Sequence, residues 1–96
     1  MGTWLTERRL NQVGARLRSL REELAMIDEQ IVQFADDASD LSLRALVSET
    51  PLATNESREA QRHVGAMNRH RQHVVDEIST LEARQDRLLD ELTARS

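Results

Sequence analysis

An apolar side chain recurs at alternating steps of three and four along nearly all of this sequence, and the pattern breaks once. The first run is Leu10, Val13, Leu17, Leu20, Leu24, Ile27, Ile31, Phe34, Ala38, Leu41 and Ala45. The second is Ala60, Val64, Met67, Arg71, Val74, Ile78, Leu81, Gln85, Leu88 and Leu92, with Arg71 and Gln85 as its polar members. A repeat of 3.5 residues puts one stripe on a helix and packs that stripe against a partner helix as a/d positions of a heptad. Strands repeat every two residues and cannot produce it.

The break is Ser48-Glu49-Thr50-Pro51-Leu52-Ala53-Thr54-Asn55. Proline lacks an amide proton and disfavours helix at the residue before it. A helix over about 6–48, a turn over about 49–55 and a helix over about 56–94 follow, with Asn55 or Thr54 as the second helix's cap. A short connection makes the two helices antiparallel neighbours. The expected fold is therefore all-α: a single antiparallel two-helix coiled-coil hairpin spanning 1–96. Asp36-Asp37-Ala38-Ser39-Asp40 is where a kink would fall, because these residues prefer caps to helix interiors.

Pairing the two runs about that turn gives layers from Ala45–Ala60 to Leu17–Leu88, in which residue numbers sum to 105. In an antiparallel coil, g positions flank g and e positions flank e. This register sets Arg16 by Glu91, Glu23 by Arg84, Arg21 by Glu82 and Asp37 by His70.

Composition agrees with such a fold. Of 96 residues 39% are apolar and 31% charged, only 2% are aromatic, and there is one proline. That suits a thin seam between helices better than a wide core. Absence of cysteine excludes disulfide frameworks, thiolate zinc sites and thiol nucleophiles. A net charge of −4 gives no global pull toward nucleic acid or anionic membrane. Met1 to Leu10 carries Arg8 and Arg9 without an apolar core, and no apolar run reaches spanning length, so a cytoplasmic protein with no membrane contact is expected.

Enzyme chemistry is not expected. No nucleophile stands at a recognisable spacing from a base, and no glycine-rich loop could cradle phosphate. No cofactor is implied. His70, His73 and Glu77 share a helix face but lack a convergent ligand set on a second helix, so no metal site is assigned. Arg58, Arg62, Arg69 and Arg71, with His63, His70 and His73, face acids of the first helix, Glu22, Glu23, Asp28, Glu29, Asp36, Asp37 and Asp40. Internal charge complementarity is the expectation there, and direct nucleic-acid contact is not. The stem of Arg71 in the seam can lie over Phe34 while its guanidinium reaches water or Asp37.

The strongest functional signal lies at the turn. Leu43, Leu46 and Val47 occupy f, b and c positions, away from the partner helix, and Pro51 and Leu52 follow in the turn. An apolar cluster outside the seam marks a protein-binding surface. Leu43, Leu46, Val47, Pro51 and Leu52 are therefore the candidate partner-binding residues of a non-catalytic interaction or adaptor protein. Two other readings fit the same sequence. One is a regulator of a nucleic-acid enzyme, associated with RNA polymerase or the ribosome, acting through the charged faces. The other is a structural homodimer.

Arg44-Ala45-Leu46-Val47-Ser48-Glu49-Thr50-Pro51-Leu52-Ala53, followed by Arg58-Glu59-Ala60-Gln61-Arg62-His63, resembles small uncharacterised coiled-coil proteins of high-GC actinobacteria. The exclusive use of arginine, thirteen residues with no lysine, fits a GC-rich coding sequence. This resemblance implies a lineage and no activity. In outline the hairpin is also similar to the WXG-type secreted helical hairpins and to secondary-channel regulators of the Gre and DksA kind. The Trp-x-Gly turn of the first and the zinc cysteines of DksA are missing here.

Overall fold

A computed structural model describes residues 2–94. They form two helices, α1 over Gly2–Ser48 and α2 over Pro51–Ala94, joined by Glu49 and Thr50. The fold is an all-α helical hairpin, as the heptads require. Helix α1 runs uninterrupted through residues 36–40. Ala38 in that stretch is buried while Asp36, Asp37 and Asp40 point to solvent, so the aspartates lie off the seam and the heptad continues.

Both helices start earlier than the sequence suggested. Helix α1 begins at Gly2 rather than near Thr6, and Thr6 itself is buried, extending the seam one step before Leu10. Helix α2 begins at Pro51 rather than at 56. The earlier start follows from Thr50, whose Oγ1 accepts the amide of Ala53 at 3.2 Å. Thr50 is therefore the N-cap, in place of Thr54 or Asn55, and Pro51 takes the first helical position, where a missing amide proton costs nothing.

The chain divides into two compact units, residues 1–24 with 73–96 and residues 25–72. In the first, Val13, Leu17 and Leu88 form a buried cluster against which Leu10, Ile78 and Leu81 pack. Leu17 and Leu20 are each 1% exposed. Full burial of one such leucine is worth roughly 1.5–3 kcal/mol. Trp4 and Leu5 lie off the seam and exposed, with the Arg8 guanidinium 5.6 Å from the Trp4 ring centroid.

In the second unit Ile27 and Ala38 are the buried apolar residues, and Ser57 is buried against Ser42. Phe34 meets His63 edge-on, with ring centroids 4.6 Å apart and planes at 82°. Arg71 does not lie over Phe34. Its guanidinium instead donates to both carboxylate oxygens of Asp28. That hydrogen bond first, and the carboxylate charge second, raise the Arg71 pKa further above its ordinary value.

The pairing register differs from the expected one. Asp28 with Arg71, Phe34 with His63 and Ser42 with Ser57 give residue numbers summing to about 98. That is one heptad less than 105. A hairpin folds back at the centre of its turn, and a turn of Glu49-Thr50 centres the pairing earlier than one over 49–55. A slip of seven residues keeps every a and d position on the seam, so the apolar pattern alone fits both registers.

The flanking charges adapt accordingly. Arg21 pairs with Glu82 at 3.5 Å, as expected, but Arg16 pairs with Glu77 at 2.7 Å and not with Glu91. In the observed register Arg16 is level with Glu82, and Arg21 with Glu77. Each pair nevertheless forms diagonally, because Arg16 and Glu77 share the g side and Arg21 and Glu82 share the e side. All four side chains are about half exposed, so each pair contributes only about 0–1 kcal/mol.

Candidate partner-binding site at the turn

The site is built by the way α1 ends. The Ser48 hydroxyl donates to the carbonyl of Arg44 at 2.8 Å, and the Glu49 amide donates to the carbonyl of Ala45 at 3.1 Å. Glu49 then takes a left-handed backbone with φ of 53°, which breaks the helix and reverses the chain. A non-glycine residue pays roughly 1–2 kcal/mol for that conformation. The Thr50 carbonyl accepts both the amide and the hydroxyl of Thr54, each at 3.1 Å, fixing the first turn of α2.

This tight reversal leaves the apolar cluster uncovered. Leu43 is 62% exposed, Leu46 75%, Val47 86% and Leu52 69%. Pro51 is exposed as well. Leu43, Val47 and Leu52 line one open groove of 570 Å³, together with Arg44, Glu56 and the backbone-rich turn residues. Leu43 and Val47 stand one helical turn apart on α1, and Leu52 faces them from α2. Leu46 and Pro51 do not line the groove. Three of the five candidate residues thus come together, and two remain exposed outside it.

Arg44 and Glu56 are the members that sequence reasoning missed. They give a mostly apolar groove one charge of each sign. The signal was present in Thr50-Pro51, a cap followed by a first-position proline. Reading that pair as the start of α2 places Glu56 at nearly the same level as Arg44. Reading it as loop places them apart.

The histidines do not gather into a metal centre. Among the described residues no three or more His, Cys, Asp or Glu side chains are grouped to hold a metal ion. His63 is engaged with Phe34, and it lines a separate 400 Å³ groove with His70 and Met67. Among the described residues no helix is long and apolar enough to cross a membrane. No family model, curated protein or solved structure matches this sequence.

Proposed function

We propose that this protein is a non-catalytic coiled-coil interaction protein of the cytoplasm, and that it binds a protein partner through the groove at its turn. One observation carries this reading: Leu43, Val47 and Leu52 are 62%, 86% and 69% exposed, and they converge on one groove. Contiguous exposed apolar surface rimmed by charge is characteristic of protein-interaction sites. Two branched side chains on a rigid helix present it at little entropic cost.

The test is affinity capture from a lysate of the source organism, comparing wild type with a Leu43→Ser, Val47→Ser variant of equal helicity. A partner held by wild type and lost by the variant supports the groove. Equal capture by both baits moves the contact elsewhere.

A second reading rests on a different observation. Residues 60–75 contain three arginines and three histidines and no acid. That basic stretch favours a regulator of a nucleic-acid enzyme acting through its charged faces. Salt-sensitive co-purification with RNA polymerase or ribosomes separates it from the first.

A further inference from the structure

The internal charge complementarity expected between the helices is realised in the second unit by Asp28 and Arg71. It does not extend to the outer faces. Glu29, Asp36 and Asp40 on α1 and Arg58, Arg62 and Arg69 on α2 are all exposed, and no ion pair joins any of them to another described residue. Their spacing is matched. The acids are seven and four residues apart, and the arginines, read in the opposite direction, are seven and four apart. Both sets also lie at the same levels of the unit, since Glu29 with Arg69, Asp36 with Arg62 and Asp40 with Arg58 fit the register that sums to about 98.

Inside one hairpin these groups cannot meet, because each set occupies the face turned away from the other helix. We propose that the outer face of α1 docks on the outer face of α2 of a second copy of this chain, laid alongside in the same orientation. That placement brings each acid opposite an arginine with no change of register. A 440 Å³ groove lined by Arg58, Arg62 and Arg69 has Gly65 in its wall, with the flexible Arg69 side chain lying over it. The same placement sets Leu46 and Val47 level with the neighbour's Leu52 and Pro51. The inference rests on the turn reading for this apolar end and on the stem charges for its alignment.

Such a contact is heterologous. It uses two different faces and leaves one of each free, so association is open-ended rather than closed at a dimer. Exposed ion pairs are individually weak, so it is concentration-dependent and salt-sensitive.

Sedimentation velocity on the purified full chain tests it, with helicity checked for every variant. Wild type should show a mass that rises with concentration beyond twice the 11.0 kDa chain, and falls back toward one chain in about 1 M salt, where the screening length is about 3 Å. An Asp36→Asn, Asp40→Asn variant and an Arg62→Gln, Arg69→Gln variant should each remain a single chain. Mixed together, they retain one intact acidic and one intact basic face and should form a capped one-to-one complex. Wild type that stays a single chain at every concentration overturns the inference, and so does a mixture that stays unassociated. If wild type is a single chain yet captures another protein through Leu43 and Val47, the turn reading survives alone. If the mixture pairs but Leu43→Ser, Val47→Ser associates and captures as wild type does, the self-docking holds and the turn reading fails.

Discussion

The two compact units share one heptad pattern and use it differently. In residues 1–24 with 73–96 the seam is leucine-rich, and Leu17, Leu20 and Leu88 are almost fully covered. In residues 25–72 the seam contains Ala38, a pair of serines and Arg71, while Leu43, Leu46, Val47 and Leu52 lie outside it. The first unit buries its large seam side chains where they stabilise the fold, and leaves Trp4, Leu5 and Leu89 exposed off the seam. The second places several of its largest where only another molecule can cover them. Small seam residues hold a coil together at lower energy but still set its register. The separation suggests a division of labour, with stability concentrated in one unit and recognition in the other.

The largest expected effect is all-or-none and concerns whether both units keep one register. The chain has no native cysteine, so engineered pairs report cleanly. In the second unit the Ser42 and Ser57 oxygens are 3.0 Å apart, so Ser42→Cys with Ser57→Cys should close a disulfide on oxidation. The short loop it closes should stabilise the chain by about 3 kcal/mol. In the first unit Leu20→Cys should crosslink with Ile78→Cys and not with Gln85→Cys, since partners with Cα atoms beyond ~7 Å cannot bridge. Non-reducing gel mobility and a thermal melt read both. A crosslink at Gln85 would mean that the units differ in register, and the comparison would have to be redrawn.

Those cysteine pairs probe the one part of the fold that spacing left open. The two helices, their antiparallel order and the apolar seam residues were legible, because burying an a/d stripe is the dominant energy and has a period that can be counted, whereas the buried Thr6 and Ser57 at its ends were not. The register was not, because a seven-residue slip conserves that energy. Only Thr50 and Pro51 distinguish the alternatives, through a cap and a first-position proline. Charge matching pointed to the wrong one, since Arg16 reaches Glu77 diagonally and long side chains tolerate such offsets. At the turn, exposure of Leu43, Leu46, Val47 and Leu52 was readable from heptad position. Their grouping was not, because which of them share a groove depends on where α2 begins.

Next in size is the contrast in what a buried and an exposed leucine contribute. Leu17→Ala should destabilise by about 3 kcal/mol, from lost burial and a cavity the helices cannot fully close. Leu52→Ala, at a position 69% exposed, should change stability by less than about 0.5 kcal/mol. Urea titration of both variants gives the ratio. Similar losses would end the division of labour, because Leu52 would then belong to a core rather than to a binding surface.

The smallest effect tests what holds the second unit's seam where apolar bulk is missing. Ser42 accepts Gln61 Nε2 at 2.9 Å and contacts the buried Ser57 hydroxyl. Ser42→Ala removes a partner from Ser57 and should cost about 1 kcal/mol, whereas replacing both serines by alanine removes the need as well as the bond and should be nearly neutral. A urea double-mutant cycle measures that coupling directly. If the double variant loses as much as the two single changes combined, the serines act by filling space rather than by pairing. The second unit would then be held by packing after all, like the first, with smaller pieces. If the double variant is neutral, the hydroxyl pair serves the register more than the stability.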